Sequence, residues 1–230
     1  MVTEIKTKIS LFDHIINQIK FLVLKTFYNS TYEVVEVKDR ALLDKVYALR
    51  YKIYCLENNY LHPDDYPNKL ESDEYDQRSI HFALMANGNQ NPKIAGTVRL
   101  VKKNGGPLPI EKDFGIKLDA TKFPEDKILE ISRLCIAPDY RKAKKKNNSA
   151  LLLLIRAINL YGLSSGHIYL AAAIDKKVFS KMSKFKFSFS ILGEPKYYMG
   201  SESVPVIVNL EHERQWLKIM NPVVWKFINT

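Results

Sequence analysis

Apolar residues at Ile5, Ile9, Phe12, Ile16, Ile19 and Val23 recur every three or four positions, which predicts an amphipathic helix over 3–28. From Tyr32 the period shortens. The run Tyr32–Val37 alternates as a strand does, and Asp39 then stands where a helix from Arg40 to about Leu56 needs a cap. A polar, proline-containing loop follows at 62–72. Two apolar runs, 80–87 and 93–102, read as strands joined through the Asn/Gly-rich segment 87–92. A further strand is expected at 128–137, stopped by Pro138. A basic loop, 139–148, leads into an apolar helix at 149–163, a strand at 167–174 and a basic helix at 175–186. Two late strands, 188–199 and 204–210, and a helix near 211–220 complete the prediction.

Strands in consecutive pairs followed by strand–helix–strand specify a mixed α/β sheet. The organisation expected is an N-terminal helix, 1–30, and one domain, 31–230. The helix at 3–28 packs on that domain, or its lysines allow peripheral contact with a membrane surface.

Composition narrows the class. The 230 residues are 46% hydrophobic and 26% charged, which excludes global disorder. Two cysteines, Cys55 and Cys135, are too few for a metal cluster or a disulfide framework, and a reduced cytoplasmic protein without a metal site is expected. The longest wholly apolar run of the N-terminal segment is Phe21–Leu24, so no signal peptide or membrane span is expected. The formal charge of +10 is unevenly placed. Residues 139–190 hold eleven Lys or Arg and two acids, while 57–76 hold seven acids and one lysine. A basic face and a separate acidic cluster suggest two partners, or simply two solvated faces.

Four clusters carry candidate chemistry: Arg50 to Glu57; Glu71 to Asp76; Gly96 to Leu100; and Glu130 to Leu134. The last is the most informative. Strand alternation puts Glu130 and Ser132 on one face and Ile131 and Arg133 on the other. An ionisable group in an apolar strand is costly unless paired or functional. Glu130 is therefore a general base with a pKa raised by burial, or a member of an ion-pair network with Arg99 or Arg133.

The order Arg50…Tyr54-Cys55…Glu57, Glu71-x-Asp73-Glu74-Tyr75-Asp76…Ser79-x-His81, Gly96-Thr97-Val98-Arg99-Leu100, Leu108-Pro109-Ile110-Glu111 and Glu130-Ile131-Ser132-Arg133 resembles the N-acyl amino acid synthases and exosortase-system-associated acyltransferases. These are related to the acyl-homoserine-lactone (autoinducer) synthases. The resemblance spans roughly 32–210. It implies a GNAT-like α/β fold, with a mixed, mostly antiparallel central sheet flanked by helices. It also implies transfer of a long-chain fatty acyl group from the phosphopantetheine thioester of acyl carrier protein to the amine of an amino acid or similar small amine. No tightly bound cofactor is implied.

By the same resemblance Arg50, Glu71, Asp73, Asp76, Arg99, Glu130 and Arg133 form the polar active-site network; Arg50, Glu71, Asp73, Asp76, Arg99 and Arg133, with Tyr54, His81 and Ser132, are expected to hold the acceptor, His81 as a second base or an orienter. Leu134, Cys135 and Ile136 border the donor. Autoinducer synthases carry a tryptophan soon after the position of Arg50. Its absence here turns the reading from S-adenosylmethionine and lactones towards amino acids. The loop after the Glu130 strand, with Arg141, Lys142, Lys144, Lys145 and Lys146, has no glycine to cradle a pyrophosphate closely. With Lys176, Lys177, Lys181 and Lys184 it suits acidic acyl carrier protein in preference to acyl-CoA. Cys135 reads as a packed side chain, not a nucleophile. The rival readings are an autoinducer-type lactone synthase, and a non-enzymatic scaffold or nucleic-acid-binding protein. Aromatics are not interleaved through the basic loop, which argues against nucleic acid as a partner.

Overall fold

The computed structural model describes residues 31–86, 93–141 and 149–230. The expected helix at 3–28, the 87–92 connection and Lys142, Lys144, Lys145 and Lys146 lie outside them. Among the described residues the strands are β1 (Tyr32–Glu36), β2 (Ser79–Ala86), β3 (Lys93–Lys102), β4 (Ile128–Ile136), β5 (Tyr169–Asp175), β6 (Ser190–Ile191), β7 (Lys196–Tyr198) and β8 (Ser201–Asn209). They form one sheet in the order β1-β2-β3-β4-β5-β8, with β6 and β7 both paired to β8. Every pairing is antiparallel except β4 with β5. The mostly antiparallel mixed sheet expected from the sequence is present.

The helices are α1 (Arg40–Tyr51), α2 (Pro109–Phe114), α3 (Pro138–Arg141), α4 (Ser149–Ser164), α5 (Lys176–Lys184), α6 (Leu210–Met220) and α7 (Pro222–Asn229). Asp39 caps α1 by accepting the Leu42 N–H at 2.8 Å. The helix then widens into a π-helical segment, Lys52–Glu57. Asp175 caps α5 in the same way, accepting from Lys177 and Val178.

Val46, Tyr47 and Ala83 pack α1 on one face of the sheet. Leu152, Leu154 and Ile158 of α4, Leu217 of α6 and Phe227 of α7 pack with Phe82, Val98 and Leu129 in a core cluster separate from that of α1. A third cluster sets α2 on the sheet through Ile110, Val101, Ile128 and Ala171.

Four expectations are corrected. The single strand expected at 188–199 is two short strands, β6 and β7, separated by a segment containing Gly193 and Pro195. Residues 109–114, where no helix is expected, form α2. A final helix, α7, follows Pro222 at its first position, with Asn221 capping the Val224 N–H. The basic segment begins as the short helix α3.

Candidate active site

β4 and β5 pair only from Ile128↔Tyr169 to Ile131↔Ala172. Beyond that point β4 stays paired with β3 as far as Ile136, and β5 with β8 as far as Asp175. The two parallel strands therefore part, and a cleft opens between residues 132–136 and 173–175. It continues into a cavity of about 650 Å³, within the usual range of a small-molecule site. Glu130, Ser132, Arg133, Tyr54, Tyr198 and Met199 line it, as do the apolar Leu151, Ile155 and Ile158 of α4 and Met182 of α5.

The β4 strand is bulged here. The register with β3 shifts between Thr97 and Arg99, and Arg133 takes a left-handed backbone, φ +50°. Gly96 faces the bulge. A Cβ there would lie 2.7 Å from Ile136 Cδ1 and 2.8 Å from the Cys135 carbonyl oxygen. The bulge overturns the expected alternation: Arg133 turns to the polar groups that Ser132 meets, not away from them. Arg99 Nε donates to Ser132 Oγ at 2.9 Å, and Arg133 reaches the same acidic segment as Arg99.

That segment builds a closed ring of six charges. Arg50 donates through Nε to Glu71 Oε2; Glu71 Oε1 accepts from Arg133 Nε at 3.1 Å. Arg133 Nη2 donates to Asp73 Oδ2 at 3.0 Å, and Asp73 Oδ1 accepts from Arg99 Nη1 at 2.5 Å. Arg99 Nη1 also donates to Asp76 Oδ1 at 2.9 Å, and Asp76 returns to Arg50 at 2.7 and 3.1 Å. Three guanidiniums and three carboxylates alternate, so each charge has two opposite neighbours.

Local structure holds the acids in place. Asp73 accepts the Tyr75 N–H, and Asp76 accepts the Asp73 N–H, a reciprocal cap on the 3₁₀ turn Glu74–Arg78. Burial alone would raise the Asp76 carboxyl; Arg50 and Arg99 outweigh it and hold it well below the usual range. The acidic cluster is thus no open docking face, because Glu71 and Asp76 point inward. Arg50 and Arg99 are likewise sealed, and of the three arginines Arg133 alone borders the cavity.

Glu130 is as deeply buried, at 3% exposure, but has no cationic partner among the described residues. The ion-pair alternative for it is therefore set aside. Its Oε2 accepts the Ile110 N–H at 2.9 Å, a donor at the start of α2 that the helix itself leaves free. Pro109 opens that helix, and Glu111 accepts the Leu108 N–H while pairing with Lys103. Burial pushes the Glu130 carboxyl up to about 8; the Ile110 N–H and Arg99 offset it only in part.

His81 sits behind the ring, edge-on to Tyr47, with Nε2 3.5 Å from Asp76. Burial takes its ring down to about 4, against the pull of Asp76, and it does not line the cavity. Cys135 does line it, but burial drives its thiol up to about 12. Tyr54 donates to the Leu134 carbonyl at 3.4 Å, with Arg133 over its ring at 5.5 Å. Arg141 bridges the Ile136 carbonyl and Glu57, tying the end of β4 to the π-helical segment. Lys176, Lys177 and Lys184 are exposed on α5, and Lys181 of the same helix borders the cavity.

Tyr198 and Met199 are among the cavity residues that the sequence does not single out. Tyr198 packs on Phe114 at 5.3 Å, and Met199 Sδ accepts from Arg133 Nη1 at 3.4 Å. The signal for both was Gly200. Its φ is +76°, and a Cβ there would meet the Tyr60 ring at 2.1 Å, so glycine alone lets this turn close on the site.

A family model described as an acetyltransferase (GNAT) domain matches residues 49–151. The match spans under half of the chain, and with the relatives below it makes the chain an acyltransferase with a GNAT-like fold. An acyl-homoserine-lactone synthase from Aliivibrio fischeri is 21% identical over 152 residues, covering 66% of this chain and 77% of that protein. Among solved structures, the homoserine-lactone synthase LasI superposes with a TM-score of 0.65 at 18% identity, over 84% of this chain and 96% of that one. FeeM, an N-acyl amino acid synthase from uncultured soil microbes, gives 0.62 at 15% identity, over 82% and 96%. BjaI, a CoA-dependent homoserine-lactone synthase solved with SAM and isopentyl-CoA, gives 0.60 at 20%, over 84% and 89%. The chain thus resembles synthases of both lactones and N-acyl amino acids, and the resemblance read from the motifs stands.

Proposed function

We propose that this enzyme transfers a long-chain fatty acyl group from the phosphopantetheine thioester of acyl carrier protein to the amine of an amino acid or similar small amine. One observation carries the reading: a single cavity joins a carboxyl of raised basicity, Glu130, to a long apolar interior through the parted β4 and β5. The apolar lining and volume support a long chain. The lysines of α5, beside the opening, support an acidic carrier.

Glu130 takes a proton from the ammonium form of the acceptor, directly or through one water, and leaves a neutral amine. The nitrogen lone pair attacks the thioester carbonyl carbon. Negative charge on that oxygen is met by backbone N–H groups of residues 134–136, along the edge of β4 that β5 has left. The tetrahedral centre collapses, the C–S bond breaks, and the sulfur leaves as thiolate, which takes up the proton that the attacking nitrogen gives up. The products are an amide and free phosphopantetheine thiol. Arg133 supports an acceptor with a carboxylate. Its Nη1 contacts only a thioether, a weak acceptor that a carboxylate oxygen displaces favourably.

The lactone-synthase likenesses keep a second product in view. Purified enzyme is incubated with a long-chain acyl carrier protein or the matching acyl-CoA, an amino acid mixture and S-adenosylmethionine, and products are read by mass spectrometry. The expected result is an N-acyl amino acid, with the carrier-protein donor preferred at low salt and that preference fading as salt screens the lysines. Acyl lactone alone, or equal use of both donors at low salt, overturns the corresponding part of the proposal.

A further inference from the structure

The cavity contains an acid that acyl transfer does not use. Glu213, on α6, lines it together with Leu210 of the same helix, Ile158 of α4 and Ile228 of α7. The helices α4, α6 and α7 share one core cluster with Leu129, whereas Glu130, the next residue of β4, carries its side chain to α2 on the other face of the sheet. Glu213 thus lies at the inner end, across the sheet from the reacting thioester. Packed layers stand roughly 10 Å apart, so only the far part of a long chain reaches it.

Glu213 is 4% exposed. Both carboxyl oxygens lean on one donor, the Ser188 N–H, at 3.3 and 3.0 Å. No cation pairs with it among the described residues, and burial raises its carboxyl to about 7. Asn159 is a second buried polar side chain in the same lining, its amide donating to the Ile228 carbonyl at 2.9 Å.

A saturated chain pushed against this end removes water from Glu213 and offers no hydrogen bond in return, which is costly. A hydroxyl at that depth both donates to and accepts from the carboxyl. We infer that Glu213 is a specificity residue that selects acyl chains carrying a hydroxyl near the end remote from the thioester. This rests on the acyl-transfer reading for the chain's direction of entry.

The test uses full-length enzyme and saturated acyl donors of increasing length, each paired with its isomer hydroxylated near the terminal carbon. At one matching length the wild type is expected to favour the hydroxylated donor by roughly tenfold in kcat/KM. Glu213→Leu is expected to reverse that order. Glu213→Gln, which can still accept the Ser188 N–H and keeps a donor and an acceptor, retains it. Acyl-pantetheine binding by calorimetry runs in parallel and needs no turnover. Absence of acyl transfer with every donor would remove the proposed function, while the calorimetric order still decides the role of Glu213. Preference of the wild type for the plain chain at every length, or the same preference in wild type and a folded Glu213→Leu enzyme, overturns the inference. If Glu213→Leu does not fold, loss of preference in Glu213→Ala answers the same question, and an unchanged preference there overturns the inference as well.

Discussion

Glu71 and Glu130 are both withdrawn from water, at 0% and 3% exposure, yet their surroundings differ in kind. Glu71 is locked between two guanidiniums in a ring that leaves no charge unpaired. Glu130 has one backbone N–H and an apolar wall. The first arrangement fixes geometry; the second raises basicity. Burial alone does not make a catalytic acid or base; the number of partners decides.

The comparison breaks most strongly at the ring. Glu71→Leu leaves Arg50 and Arg133 each short of a carboxylate inside the protein. A loss of about 3–5 kcal/mol in urea unfolding is expected. A stability within about 1 kcal/mol of wild type would mean that the ring reorganises freely and does not set the geometry of the site.

Glu130→Gln is expected to do the reverse: fold as well as wild type, because the amide oxygen still accepts from Ile110, but lose turnover by roughly 100-fold or more. Full activity in this folded variant would transfer the role of base elsewhere.

A smaller effect sharpens the contrast without removing either acid. The Glu130 carboxyl is raised from 4.5 to about 8 in the folded protein, so the unfolded chain releases this proton first. Its contribution to stability is fully present below about 4.5 and is lost as pH rises through about 8. With ionised Glu130 as the proposed base, kcat/KM should climb through the same interval. Activity and melting temperature should therefore move in opposite directions, and Glu130→Gln should flatten both trends. A kcat/KM that is level from about pH 6 to 9 would separate Glu130 from the rate.

Much of this was legible in the sequence because local chemistry agreed with the final fold. Asp39 caps α1 as its position requires, and the apolar run at 93–102 is β3, buried on both faces. Glu130 announced itself as a carboxylate in an apolar strand. What could not be read depends on contacts between distant segments. Nothing in Ser132-Arg133-Leu134 shows that Arg133 adopts a positive φ, which is imposed by its pairing with Glu71 and Asp73, some sixty residues earlier. The acids at 71–76 look like a solvated cluster until the arginines from α1, β3 and β4 close around them. The helix α7 carried its own signals, Asn221 and Pro222, but they follow so closely on α6 that they resemble a frayed end.

The seam between β4 and β5 has a consequence for cooperativity. Strands β1 to β4 lie side by side in chain order, so that half of the sheet is built from consecutive strands. The other half, β5 to β8, meets it along four register pairs, reinforced by α4. The cleft proposed to admit substrate is therefore also the shortest line along which the path β1-β2-β3-β4-β5-β8 could separate into two units. On the proposed reading, a thioester arm lying in the cleft would give the bare edge of β4 a neighbour and stiffen the molecule across this seam, so occupancy and mechanical unity would rise together.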